Sequence, residues 1–184
     1  MINVFFLVGI LFMTLRTVWY VWGYWGINRH HCLLRSVLLA IDVCFPDVQS
    51  ISTGQLASLP PKSYHLLDVR SQEEFGVSHI PLAILTLPAD IDPDALIIVY
   101  CSIGWRSAVN VRQLTRMGFV NSLNLRGSLF LWAREGRSLE HTDRSQSYVV
   151  HPFNSFWGRL LPAHLRWSTP VVKRIDLFII IYDL

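Results

Sequence analysis

A single cysteine lies between a predicted strand and a predicted helix, and this junction constrains the fold more than any other feature. Residues 97–100, IIVY, form a short apolar, β-branched run that is typical of a buried strand. Residues 106–117 then show helical spacing, and Gly118 is a typical helix stop. The apolar face of this helix comprises Val111, Leu114 and Met117. Because sites in open α/β sheets lie at the carboxyl ends of strands, we expect chemistry at Cys101.

The loop that joins this strand to this helix is suited to holding an anion. Its amides and the first N–H groups of the helix lack partners within the helix, so they can converge on a negative charge. We expect them to favour the thiolate form of Cys101, or a persulfide anion if Cys101 carries a second sulfur. Arg106 adds positive charge at the helix mouth. A cysteine that ends a strand is more often an inert filler, but Gly104 and Arg106 at this spacing favour a reactive one.

Three segments, in order, resemble the rhodanese, or thiosulfate sulfurtransferase, domain. Residues 101–107, CSIGWRS, are similar to its C-x-x-G-x-R-S active loop. Residues 66–83, LLDVRSQEEFGVSHIPLA, resemble its D-V-R to G-H-I-P-G-A segment, and residues 125–136, LRGSLFLWAREG, resemble its G-G-x-x-x-W segment. A phosphatase or arsenate reductase is the weaker alternative. Cysteine phosphatases place five residues between Cys and Arg, whereas four separate Cys101 from Arg106.

The resemblance implies that Cys101 is the catalytic residue and that the rest of the loop forms a persulfide cradle. The cradle comprises Ser102, Ile103, Gly104, Trp105, Arg106 and Ser107. The resemblance also implies transfer of a sulfane sulfur from a donor such as thiosulfate or a persulfide to cyanide, a thiol or a protein acceptor. No cofactor and no metal are expected, and the three cysteines of the chain show no metal-ligand spacing.

Asp68 and Arg70 are expected to support this loop from the end of a neighbouring strand. They could face the site and bind an anionic donor. We favour the other interpretation, in which Arg70 pairs with Glu73 or Glu74 and fixes the supporting loop. His79, which matches the family's H-I-P, is expected to be structural.

Four departures from the family pattern bear on the substrate. Leu82 and Ser128 replace glycines, so the local backbone geometry is expected to differ. Ile103 and Trp105 are apolar, which should weaken binding of a hydrated dianion such as thiosulfate and favour a lipophilic or protein-bound donor. The same departures support an alternative from another class, a catalytically weak rhodanese-fold interaction module at a membrane.

The alternation of apolar runs and helical segments predicts an α/β fold over residues 48–139. Its central parallel sheet should have helices on both faces, and the resemblance implies about five strands. The predicted strands are residues 48–52, 64–68, 83–87, 97–101 and 121–125.

The N-terminal segment accounts for the apolar composition of the chain, whose mean hydropathy is +0.36. In residues 1–27 the only charged side chain is Arg16, and about 20 apolar residues suffice to span a bilayer. We predict a membrane-anchor helix here, or a helix that lies on the bilayer surface. A cleaved signal peptide would have positive charge before the apolar run, which is absent. Arg29 and Arg35 follow the run, so the positive-inside rule places the rhodanese-like part in the cytoplasm.

The remaining segments are an amphipathic connector and a C-terminal extension. The connector, residues 28–47, is expected to lie along the bilayer or pack on the domain. The extension, residues 140–184, begins as a polar linker and continues with an aromatic-rich stretch that suits a membrane surface or a cover on the domain. Its role is not predicted. The net charge of +3 is small and the basic residues are scattered, so we expect no nucleic-acid partner.

Overall fold

The computed structural model describes residues 32–168 of the chain. The predicted membrane anchor, residues 1–27, lies outside this part. None of the helices within residues 32–168 combines the length and the apolarity that a bilayer crossing requires.

The core of the fold is a parallel sheet of four strands in the order β1-β4-β3-β2. The strands are β1 Ser50–Ile51, β2 His65–Asp68, β3 Ile97–Tyr100 and β4 Ser122–Leu125. All four residues of the central strand β3 are buried, as the continuous apolar run predicts.

The prediction of a third strand at residues 83–87, and with it of a five-stranded sheet, is wrong. This segment is reduced to one parallel bridge between Leu67 and Ile84, in which the Asp68 amide donates to the Ile84 carbonyl at 2.8 Å. The chain bends directly afterwards, at residues 85–86. Pro88 then has no N–H with which to continue a ladder.

Helices cover the sheet on both faces, as predicted. Residues 32–44 form α1, and the others are α2 Thr53–Ser58, α3 Gln72–Val77, α4 Trp105–Arg116 and α5 Ser128–Arg134. Side chains of β3 alternate between the two faces: Ile98 and Tyr100 pack with α1, α2 and α5, whereas Ile97 and Val99 pack with α4. The S-x-x-E pattern of residues 71–74 predicts a capping box, and the structure confirms it between Ser71 and Glu74, the third residue of α3.

Helix α4 ends one residue earlier than its apolar pattern predicts. Val111 and Leu114 are buried, but Met117 is 72% exposed, so its assignment to the apolar face is wrong. The helix ends at Arg116, and Gly118 follows with a φ of +102°, which suits its predicted role as the stop.

The described part of the connector, residues 32–47, packs on the domain. Leu34, Leu38, Ile41 and Phe45 are all less than 8% exposed, and they join the core clusters that contain β3 and α4. This corresponds to the second of the two arrangements expected for residues 28–47.

The C-terminal extension is also folded against the domain as far as residue 168. The predicted polar linker is wrong, because β5 Leu139–Glu140 and β6 Gln146–Ser147 pair antiparallel there. Two single turns of 3₁₀ helix follow, Trp157–Leu160 and Ala163–Leu165. Val150, Leu160 and Leu161 are buried in the same core cluster as β3. The stretch therefore covers the domain.

Candidate active site

Cys101 lies where β3 ends and the chain turns into α4. The N–H of Gly104 donates to Cys101 Sγ at 3.1 Å, and the hydroxyl of Ser107 donates to the same sulfur at 3.5 Å. Gly104 has a φ of +112°, a left-handed backbone that lets the loop fold back over the sulfur. The structure therefore brings the predicted loop, residues 101–107, around the sulfur and aims donors at it.

The start of α5 holds this cysteine loop from the other side. The Cys101 amide donates to Ser128 Oγ at 3.2 Å, and the Leu129 amide donates to the Cys101 carbonyl at 3.1 Å. From β4, Asn124 Nδ2 donates to the Gly104 carbonyl at 3.1 Å. The loop is thus fixed by contacts from two elements that follow it in sequence.

Leu82 and Ser128, which replace glycines of the family pattern, both have an unusual backbone conformation. Their φ angles are +70° and +49°, so the backbone at both residues lies in the left-handed region that favours glycine. Ser128 is buried, and its hydroxyl donates to the Leu125 carbonyl at 3.0 Å while accepting from the Cys101 amide. This serine therefore adds a polar link to the cysteine loop that a glycine would lack.

Arg106 is engaged by a carboxylate at the edge of the site. Its Nη2 and Nη1 atoms lie 2.8 Å and 2.9 Å from Glu74 Oε1 and Oε2, and Nη2 also donates to Ser102 Oγ at 3.0 Å. Burial alone would raise the pKa of Glu74, but hydrogen bonds from Arg106 and from the Ser71 amide, with the charge of Arg106, outweigh it. The pKa of Glu74 therefore falls from 4.5 to about 2.

The same environment acts on Arg106. Burial works to lower its pKa, but the hydrogen bonds and charge of Glu74, with a smaller effect of Cys101, raise the pKa above its ordinary value. The guanidinium thus stays charged beside the sulfur while each of its two Nη atoms donates to Glu74.

Asp68 and Arg70 form a buried ion pair. The expectation that Arg70 pairs with Glu73 or Glu74 is therefore wrong. Arg70 Nη2 lies 2.7 Å from Asp68 Oδ2, both side chains are 0% exposed, and the same Nη2 donates to the Ser78 carbonyl at 2.7 Å. Burial works to lower the pKa of Arg70, but Asp68 outweighs it and raises that pKa. Glu74 is unavailable as partner because Arg106 and Ser71 already occupy it.

The Asp68–Arg70 pair lies beside the end of β3 and does not line the cavity next to the sulfur. The Arg70 guanidinium carbon lies 5.8 Å from the ring centre of Tyr100, the residue before Cys101. The Tyr100 hydroxyl accepts from the Ile80 amide at 3.2 Å. His79 stacks on Phe75 with ring centres 3.8 Å apart, as suits the structural role expected of it.

A cavity of about 210 Å³ opens beside the sulfur. Its lining comprises Cys101, Ser102, Ile103, Trp105, Arg106, Phe153 and Trp157. Phe153 and Trp157 belong to the C-terminal extension, and sequence reasoning missed them as site residues. Their only signal was the density of aromatic residues in residues 151–157. Within residues 32–168, no cluster of three or more His, Cys, Asp and Glu side chains is arranged to hold a metal ion.

Comparison with known proteins identifies the family of the domain that contains Cys101. The sequence profile of the rhodanese-like domain matches residues 53–135. Over 79 residues the chain is 35% identical to a sulfurtransferase of Allochromatium vinosum, covering 39% of this chain and 73% of that protein. The chain belongs to the rhodanese-like domain family.

Two further relatives of this rhodanese-like protein differ in length from it. The adenylyltransferase and sulfurtransferase uba4 of Ogataea parapolymorpha is 28% identical over 95 residues, which are 47% of this chain and 24% of that protein. The chain therefore spans about a quarter of one of these relatives and about three quarters of the bacterial one. A rhodanese-like domain protein from Staphylococcus aureus is 30% identical in its crystal structure, covering 52% of this chain and 99% of that one, with a TM-score of 0.44.

Proposed function

We propose that this rhodanese-like protein is a sulfurtransferase that carries a persulfide on Cys101. The observation that supports this most is the position of Cys101 Sγ. It lies 3.1 Å from the Gly104 amide at a strand-to-helix turn and lines a cavity large enough for a donor. The two sulfurtransferase relatives support the same class of reaction.

In the first half-reaction the Cys101 thiolate attacks the outer sulfur of the donor. A bond forms between Sγ and that sulfur, the S–S bond of the donor breaks, and its electron pair leaves with the remainder of the donor, which is sulfite if the donor is thiosulfate. In the second half-reaction cyanide or a thiolate attacks the outer sulfur, and the electron pair of the persulfide bond returns to Cys101 as thiolate. These two steps give ping-pong kinetics.

The cysteine loop stabilises the negative sulfur in both steps. The Gly104 N–H and the Ser107 hydroxyl donate to Sγ, and the Arg106 charge lies close by. Ile103 and Trp105 contribute apolar wall, and Ser102 holds Arg106. Asp68 and Arg70 act as positioning residues under the loop.

Thiocyanate formation from a sulfane donor and cyanide tests this proposal. Cys101→Ser should abolish turnover while leaving the unfolding transition in place. Cys44→Ser, which changes an exposed cysteine in α1, is the matched control and should keep wild-type turnover. Wild-type turnover in Cys101→Ser would overturn the mechanism.

The second candidate function is an interaction module with little turnover. Two observations favour it: Cys101 is only 1% exposed, and the neighbouring Arg106 is already paired with Glu74. Such a module would bind a partner without acquiring sulfur at Cys101, so a labile sulfur on that residue separates the two candidates.

The physiological acceptor and location are proposed from sequence. The likeness to part of uba4 supports a protein acceptor for the sulfur.

Residues 1–27 support attachment to a lipid bilayer with the domain facing the cytoplasm. We expect the full-length chain to stay in membranes that are washed with alkaline carbonate. Its release would contradict the proposed membrane anchor.

A further inference from the structure

The cavity beside Cys101 has walls that are mostly apolar, and two of its three aromatic lining residues come from outside the family's active loop. We infer that this cavity selects organic sulfane-sulfur donors in which an apolar group, such as an aromatic ring, is attached to the sulfur-bearing end. Phe153 and Trp157 are the residues that determine this specificity. The inference rests on the proposed function and names the donor class for it.

The charges around the cavity disfavour a small dianion. Of the described residues that line it, Arg106 alone is cationic, and both of its Nη atoms are bound to the Glu74 carboxylate. Thiosulfate would exchange its hydration for apolar walls without gaining a cation that is not already paired. A donor with a single negative charge fits better, because it gives up less hydration than a dianion when it enters the apolar cavity.

The aromatic segment, residues 151–157, is held in its turn by local hydrogen bonds and packing. Asn154 Oδ1 accepts from the amides of Phe156 and Trp157, each at 3.0 Å. A side chain at Gly158 would approach Pro152 Cβ to 2.9 Å, so this glycine permits the tight packing of the segment.

Phe153 and Trp157 face the cavity from this fixed turn. The Arg106 guanidinium carbon lies 4.7 Å from the centre of the Phe153 ring, which couples the aromatic segment directly to the cysteine loop. Leu160, just beyond Trp157, accepts a hydrogen bond from Arg134 of α5 at 2.8 Å. The walls therefore exist before a donor binds, which favours selectivity.

The size of the cavity fits one ring. Its volume is about 210 Å³, and an apolar cavity of about 150 Å³ is known to accommodate benzene. Benzenethiosulfonate is a suitable probe, because it joins a phenyl ring to a singly charged sulfane group. In its reaction with Cys101 a bond forms between Sγ and the outer sulfur, and the bond from that sulfur to the sulfonyl sulfur breaks. The electron pair leaves on benzenesulfinate, so charge is conserved.

The test compares benzenethiosulfonate with methanethiosulfonate, which carries the same reacting group and charge without the ring. In Phe153→Ala and Trp157→Ala, the ratio of kcat/KM for the phenyl over the methyl donor should fall about tenfold from its wild-type value. Tyr148→Ala, which removes a 69% exposed aromatic ring of the same extension outside the cavity, is the control and should leave the ratio unchanged. An unchanged ratio in the folded Phe153 and Trp157 variants would overturn the inference.

A measurement on the wild-type protein covers the case in which these variants fail to fold. Benzenesulfinate should inhibit about tenfold more tightly than methanesulfinate, because it leaves the phenyl ring in the same cavity. Equal inhibition by the two sulfinates would contradict the inference.

Glu74→Gln tests the charge argument separately. It keeps an oxygen for the Ser71 amide but removes the charge that occupies Arg106. The ratio of kcat/KM for thiosulfate over methanethiosulfonate should rise severalfold in this variant, and no rise in a folded variant would refute the argument from charge. If the wild type transfers sulfur from none of the three donors, the proposed function itself fails. If it transfers sulfur but no variant changes a ratio, only the donor specificity is wrong.

Discussion

Glu74 and Arg106 form a two-point ion pair at the edge of the sulfur site, with Oε1–Nη2 and Oε2–Nη1 distances of 2.8 Å and 2.9 Å. Glu74 is the third residue of α3, and Arg106 is the second residue of α4. The pair therefore joins the capping box of α3 to the N-terminus of α4. One contact thus fixes both the charge at the cavity and the position of α3.

This pair predicts a loss of stability in acid. The folded-state pKa of Glu74 is about 2, below its ordinary 4.5. A depressed carboxyl pKa stabilises the fold fully above the unfolded value, and the stabilisation is lost as the pH falls from about 4.5 towards 2. We expect the pair's contribution to be about 2 kcal/mol, below the full conversion of the shift, because the Arg106 side chain is 34% exposed and solvent screens it.

Urea unfolding at several pH values, in wild type and Glu74→Gln, measures this contribution. The difference in unfolding free energy between the two proteins should shrink over that pH interval, while the other carboxyls cancel in the comparison. A difference that stays constant with pH would show that the ion pair does not stabilise the fold.

Gly104→Ala should slow sulfur transfer more than it destabilises the fold. The nearest atoms to an added Cβ are 3.7 Å away, so the space is sufficient, but the φ of +112° strains any side chain. Relaxation of this strain would move the amide that donates to Cys101 Sγ. We expect a loss of about 1 to 2 kcal/mol in stability and about a tenfold loss in kcat/KM.

Gly118→Ala is the matched control, since it has a similar φ of +102°, no atom within 4 Å of the added Cβ, and a position at the far end of α4. It should lose similar stability while keeping kcat/KM. If the two substitutions reduced kcat/KM equally, the Gly104 amide would have no specific role in sulfur transfer.

Ser128 should tolerate glycine better than alanine. Its φ of +49° lies in the left-handed region, and its hydroxyl links the Cys101 amide to the Leu125 carbonyl. Alanine loses both hydrogen bonds and keeps the backbone strain, whereas glycine loses the bonds but relieves the strain. Chemical denaturation should show Ser128→Ala less stable than Ser128→Gly by about 1 kcal/mol. Because both variants lack the hydroxyl, the opposite order would show that the backbone at residue 128 does not favour glycine.

Arg70→Ala should be the most destabilising of these substitutions. It would leave the Asp68 carboxylate, whose side chain is 0% exposed, without its partner. Removing one member of a buried ion pair costs about 3 to 5 kcal/mol. Arg126→Ala breaks the pair with Asp42, in which both side chains are 40% exposed. It should cost less than about 1 kcal/mol. Similar midpoints for the two variants in urea would contradict the assigned role of Arg70.

The cysteine junction could be predicted from sequence because its signals are local. A continuous apolar run identifies a strand that is buried on both faces, and β3 is that strand. The pairing of Ser71 with the third residue of α3 depends only on spacing along the helix, and it too was predicted correctly. The family motifs added the expectation of a parallel sheet, which the structure has with four strands.

The missed features depend on contacts between residues far apart in sequence. Nothing local to Arg70 distinguishes Asp68 from Glu73 or Glu74 as its partner, and the choice is decided by Arg106, which takes Glu74. Phe153 joins the site only because the extension folds back over α5 and the cysteine loop. Residues 83–87 have strand-like composition, yet the bend after Ile84 limits them to one bridge.

The mass of the intact protein after incubation with a sulfane donor, without an acceptor, tests the central claim most directly. The wild type and Cys44→Ser should each gain the mass of one sulfur atom, which cyanide then removes as thiocyanate. Cys101→Ser should gain none. Absence of the added sulfur in the wild type, or the same gain in Cys101→Ser, would contradict a persulfide on Cys101.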